Sequence, residues 1–138
     1  MLKTNTLLFI KALILTILSS TPILADKNQT TENPLQKRWT ISAVGTHQDK
    51  HLGFIKFTDS MIEGQSTCNT YSAVYETKPN NEIKINRIAT TTLICKLGNK
   101  MKIEEQYIDG LEKAHTYTLQ DGVLTLFTKD KTEIARFK

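Results

Sequence analysis

Two cysteines, three histidines, a run of threonines and two adjacent glutamates are the residues on which chemistry would have to be built. His47 and His51 stand four apart, a spacing that on a helix would turn both imidazoles to one face as metal ligands. Here they fall in the polar stretch His47-Gln48-Asp49-Lys50-His51, between two strand-like segments and without a third ligand. A solvated loop is expected, and no metal. Thr90, Thr91 and Thr92 bring hydroxyls but no neighbouring base to activate them, and such a run is ordinary strand material. Glu104 and Glu105 are consecutive, so on a helix they point in different directions and form no carboxylate pair for acid–base work. A solvated face, or one buried salt bridge, is expected of them. Neither Cys68 nor Cys95 has a histidine near it in sequence, which sets a catalytic thiol aside. No catalytic residue, metal site or cofactor is assigned.

The elements that must position these residues are mostly strands. Trp39, Ile41 and Ala43 alternate with Thr40 and Ser42, as a half-buried strand requires. Further strands are expected over 52–58, 61–64, 68–77 (with Tyr71, Ala73 and Tyr75 on one side) and 82–88. The last three are 115–120, where His115, Tyr117 and Leu119 alternate with polar residues, then 123–128 and 132–137. Pro79-Asn80-Asn81 and Asp121-Gly122 supply turn chemistry, the second being a hairpin signal because both residues accept positive φ. One helix is expected over 100–114, where Ile103, Tyr107, Leu111 and Ala114 recur at helical spacing, with Asn99 as N-cap. Gly110 inside it implies close packing.

The chain's 138 residues allow one compact domain, and 39% hydrophobic with 23% charged residues lies in the globular range. Residues 1–25 differ in kind. Lys3 and Lys11 are their only charges, an apolar stretch follows, and Ala25 suits the place before a cut. A cleaved secretory signal is expected, with an uncleaved membrane anchor as the alternative. Residues 26–37 are polar and without period, a flexible leader ahead of a domain at 38–138. Without residues 1–25, 16 Lys and Arg remain against 14 Asp and Glu, so the formal +4 of the whole chain falls to +2. No basic cluster with interleaved aromatics is present, and nucleic acid is not expected as a partner. In an exported domain with only these two cysteines, Cys68 and Cys95 are expected to pair; two separate buried thiols are the alternative.

The middle of the chain resembles the META domain, or HslJ-like, family. Gly64-Gln65-Ser66-Thr67-Cys68-Asn69-Thr70-Tyr71 is similar to its G-x-x-G-C-N-x-(Y/F) segment, and Thr91-Thr92-Leu93-Ile94-Cys95 to its Thr four places before a Cys. Residues 105–111, beginning with Glu105, match an acidic-then-apolar pattern, and Trp39-Thr40-Ile41 and Gly122-Val123-Leu124-Thr125-Leu126 open and close the match. Thr67 departs from the family's Gly, and the lipid-attachment Cys of many bacterial members is missing.

The resemblance implies an α+β fold in which a strongly bent antiparallel sheet, or incomplete barrel, wraps around one helix. It implies structural roles for Trp39, Gly64, Asn69, Tyr71, Thr91 and Glu105. Asn69, next to a bridged cysteine, is expected to bond nearby backbone and fix the bend of its strand. The function expected is that of a non-enzymatic exported binding module, periplasmic or secreted, supporting envelope integrity or stress tolerance. Its partner would be an envelope protein or peptide; the alternative is a carrier holding a lipid or small apolar ligand in the barrel interior.

Overall fold

The computed structural model describes residues 32–96 and 98–138. The expected signal segment at 1–25 and the leader residues 26–31 lie outside the described residues. Eight strands and one helix follow one another: β1 (Arg38–Val44), β2 (Phe54–Phe57), β3 (Met61–Gln65), β4 (Thr70–Lys78), β5 (Glu82–Thr90), α1 (Lys100–Glu112), β6 (Thr116–Gln120), β7 (Val123–Phe127) and β8 (Glu133–Phe137). Each strand pairs antiparallel with the next, and β8 returns to β1, so the sheet rings around on itself.

The ring is not a regular barrel. Between β5 and β6 only Glu82 and Thr116 are paired, reinforced by Ile83 N–H to His115 O at 2.9 Å and Tyr117 N–H to Asn81 O at 3.0 Å. The connection from β5 to β6 contains α1, which packs on β5, β8 and β1. Bulges supply the curvature: the β4–β5 register shifts between Ser72 and Val74, opposite Arg87, a non-glycine residue at φ +52°. Asp121 and Gly122 both take positive φ, +52° and +74°, as a two-residue hairpin with its primed turn demands.

Alternation decides which side chains enter the ring. Trp39, Ile41 and Ala43 of β1, Tyr71, Ala73 and Tyr75 of β4, and Ile83 and Ile85 of β5 are buried, as their spacing predicts. From α1, Ile103, Tyr107 and Leu111 join them. A Cβ at Gly110 would lie 2.5 Å from Ile134 Cγ2, so the helix meets β8 closely at that point.

Three features differ from the sequence expectation. The helix ends at Glu112, and Asn99 holds the N-cap position without a capping bond from its side chain; only its carbonyl engages, accepting Ile103 N–H at 3.0 Å. In β6 the alternation buries neither face fully, and Leu119 is 38% exposed, because this strand extends beyond its one pairing with β5. Residues 32–37, expected as the end of a flexible leader, are mostly exposed but anchored through Leu35, which is fully buried and whose carbonyl accepts the Trp39 indole N–H at 3.0 Å. An isolated leucine in a polar run carries no period, so only the tertiary fold reveals it.

Candidate functional site

Of the residues singled out by type, the two cysteines, Thr91 and Glu104 converge where α1 meets the β3–β4 turn, whereas Glu105 and the histidines lie elsewhere. Ser66, Thr67, Cys68 and Asn69 form that turn, closed by Ser66 N–H to Asn69 O at 2.8 Å. Thr67 lies outside the residues with positive φ, so Thr in place of Gly is unstrained there. Its hydroxyl donates to Lys100 O at 2.7 Å and ties the turn to the first residue of the helix.

Glu104 of α1 reaches into the turn. Its Oε2 accepts the backbone N–H of Asn69 at 2.8 Å and of Cys68 at 3.1 Å, together with the Ser66 hydroxyl. Its Oε1 accepts from the Asn69 side-chain amide. Burial alone would push this carboxyl up, but the hydroxyl of Ser66, the amide of Asn69 and the two backbone donors outweigh it and hold it below the ordinary glutamate range. Glu104 is thus neither on a solvated face nor in a salt bridge, the two arrangements the sequence suggested, but a buried carboxylate whose charge is stabilised by hydrogen-bond donors. Glu105, the glutamate the motif pointed to, is exposed and lines an open groove of about 440 Å³ between α1 and β8, with Gln106, Asp109 and Glu133.

Asn69 carries the clamp onward. Its Nδ2 donates to Glu104 and, at 3.1 Å, to Leu93 O. Its Oδ1 accepts the Thr91 hydroxyl and Leu93 N–H, both at 2.7 Å. Both amide hydrogens and both lone pairs of this buried side chain are therefore used. A disulfide joins Cys68 to Cys95 with their Cα atoms 5.9 Å apart, closing the other end of the same segment. Residues 91–95, although without regular structure, are held from both ends and from beneath. Their tip is apolar and in solvent: Leu93 is 64% and Ile94 80% exposed. Met101 of α1, 39% exposed, stands beside them, with Cys95 N–H 3.5 Å from its sulfur.

Gly64 and Tyr71 complete the motif. They are cross-strand partners, and a Cβ on Gly64 would lie 2.3 Å from the Tyr71 ring. Tyr71 OH lies 2.6 Å from Tyr107 OH and donates to Phe54 O at 3.3 Å. Burial pushes both phenols well above the ordinary tyrosine range. Trp39 is used differently, receiving the Lys37 ammonium 3.9 Å above its ring while its indole holds Leu35. His51 is exposed in the 45–53 connection, His47 bonds there only through its backbone to Val44, and no cluster of three metal-ligating side chains occurs among the described residues.

The fold is shared with solved structures. An NMR structure of a protein is 23% identical, with TM-score 0.60, over 75% of this chain and 89% of that one. An NMR structure from Burkholderia xenovorans is 18% identical, with TM-score 0.60, over 75% and 81%. A crystal structure of a DUF4847 family protein from Bacteroides vulgatus is 17% identical, with TM-score 0.53, over 75% and 92%. No curated protein matches the chain. The META domain family model matches residues 32–138, taking in the buried Leu35 at one end and the closing strand β8 at the other. The chain belongs to the META domain family.

Proposed function

We propose that this domain is a non-enzymatic, exported binding module whose contact surface is the clamped segment 91–95 with Met101, serving envelope integrity or stress tolerance. The observation that carries this reading is the pairing of a fully satisfied polar clamp with an apolar tip left in solvent. Glu104 is the only carboxylate buried among the described residues, and its donors keep it ionised. A general acid or base poised near neutral pH needs the opposite tuning. A loop already ordered by a disulfide and by two bonds from the Asn69 side chain to the Leu93 backbone loses little freedom when it meets a partner.

Export is supported by the signal-like order of residues 1–25 and by the disulfide, a bond that persists in oxidising compartments. No helix of the described residues is long and apolar enough to cross a membrane. Carriage of an apolar ligand inside the ring is the less favoured reading, because Trp39, Phe57, Tyr107 and Phe137 fill that volume with side chains under 2% exposed.

The test is retention on immobilised envelope material. Wild type is expected to be held, Ile94→Asp to be lost, and Leu119→Asp, which alters an exposed leucine of the β6–β7 hairpin, to behave as wild type. Equal retention of Ile94→Asp and wild type would remove the loop from the function.

A further inference from the structure

We infer that a recess between the 45–53 connection and the outer face of β1–β3 binds a phosphate-monoester group, at a site separate from the 91–95 loop. The recess has a volume of about 320 Å³ and is lined by Arg38 and Thr40 of β1, Lys50 and His51 of the connection, and Gln65 of β3. No carboxylate is among the described residues that line it. Close backbone contact brings these groups together. Gly53 stands at φ +104°, where a Cβ would run into Gln65 O, and its carbonyl accepts Ile41 N–H at 3.0 Å. The connection is thereby pinned to β1 and β3 just before it enters β2, with Lys50 and His51 beside Arg38. The Arg38 guanidinium lies 3.6 Å over the Phe54 ring, a stack that fixes its plane and leaves its N–H edges for a ligand.

The surrounding acids leave these cations free. Among the described residues neither Arg38 nor Lys50 forms an ion pair. Asp49 lines the adjoining hollow with Lys50, and its Oδ1 accepts His51 N–H at 3.1 Å. Glu63, the next outward residue of β3, stands opposite Lys56. Ser66 also lines the recess, and Glu104, to which it bonds, is buried with its charge already met by donors. A second lysine-rich hollow, at the β5–β6 seam, is built differently: Lys78, Lys84, Lys113 and Lys129 share it with Glu82 and Glu112, which offset much of its field.

Geometry selects the ligand. A guanidinium fork, an ammonium and an imidazole N–H reach the recess from two segments of chain. Donors so arranged suit the several oxygens of a tetrahedral dianion better than the two of a planar carboxylate. The volume lies at the lower end of small-molecule sites, with room for a phosphate that carries a sugar-sized substituent.

The test is titration of the isotope-labelled full chain, followed by amide NMR at constant ionic strength. Inorganic phosphate, and glucose 6-phosphate as the same group on a sugar, are expected to give saturable shifts at Gly53, Phe54 and Gln65 and none at Leu93. Glucose alone should give none, and acetate should bind about tenfold more weakly than phosphate. Arg38→Gln is expected to weaken phosphate binding by about tenfold, and Arg38→Lys nearly as much, because stack and fork are both lost. Lys50→Gln should weaken it by about threefold, and Lys129→Gln, in the other hollow, should leave it unchanged. All these side chains are exposed, so amide shifts away from each substitution should stay those of wild type. Shifts that do not saturate, or acetate binding as tightly as phosphate, would overturn the assignment. So would an Arg38→Gln chain that binds phosphate as wild type does, or equal losses from Arg38→Gln and Lys129→Gln.

Discussion

Glu104 Oε2 accepts the backbone N–H of Asn69 at 2.8 Å, so the helix and the β3–β4 turn are joined through a carboxylate and not through apolar packing alone. The same carboxylate meets Ser66, Cys68 and the Asn69 side chain, which leaves Asn69 oriented to hold Thr91 and Leu93. One ionised group therefore sets the place of a loop that it does not touch.

Glu104→Gln should cost about 2–3 kcal/mol, because an amide presents hydrogens to donors that need an acceptor. The pH dependence follows from the lowered carboxyl. Its stabilisation is fully present above the ordinary glutamate range and is lost as pH falls through that range toward the folded-state value. Urea midpoints measured from pH 6 down to pH 2 should decline more steeply for wild type than for Glu104→Gln.

The two buried phenols are not equivalent. Tyr71 OH has both Tyr107 OH and Phe54 O within reach, whereas the hydroxyl of Tyr107 bonds only to Tyr71 among the described residues. Tyr71→Phe strands a buried hydroxyl and should cost about 1–3 kcal/mol, with Tyr107→Phe costing less. Both phenols favour the neutral form, so their contribution is complete below pH 10 and falls as the pH rises beyond it. Tyrosinate absorbance followed during alkaline titration should show these two rings ionising only with unfolding.

Gly64→Ala places a methyl group against the Tyr71 ring and within 2.6 Å of Phe54 O. Tyr71 cannot swing away without breaking its bond to Tyr107, so overpacking of about 1–3 kcal/mol is expected. Thermal unfolding of the variant measures it.

Replacing both Cys68 and Cys95 by serine opens a loop of sequence separation 27. The chain-entropy estimate puts the loss at about 3.5 kcal/mol. Hydrogen exchange at Leu93, whose N–H is held by Asn69, should quicken beyond what the global loss explains.

All eight strands are legible in the sequence to within a few residues, because alternation and turn residues such as Asp121-Gly122 are local properties. The pairing of Cys68 with Cys95 is legible too, from the count of cysteines and an expected compartment. Glu104 is the instructive miss. It stands at i, with Tyr107, Ile108 and Leu111 at i+3, i+4 and i+7, inside the apolar stripe of α1, and a charged residue on a buried stripe signals waiting donors. Those donors come from a turn 35 to 38 residues away, which no local pattern contains. The packed Leu35 and the half-empty faces of β6 have the same origin: each depends on which strand ends up beside it.

The seam between β1 and β8 fastens the two extremities of the described domain to each other, with Thr40 and Lys138 exchanging backbone bonds of 2.7 and 2.9 Å. Every other strand junction links neighbours in the chain, so the zipping of this last pair is the step that completes the circle. Joining those extremities with a short peptide and cutting the chain at Asp121–Gly122 would leave all strand neighbours in place, which makes the architecture a natural host for circular permutation.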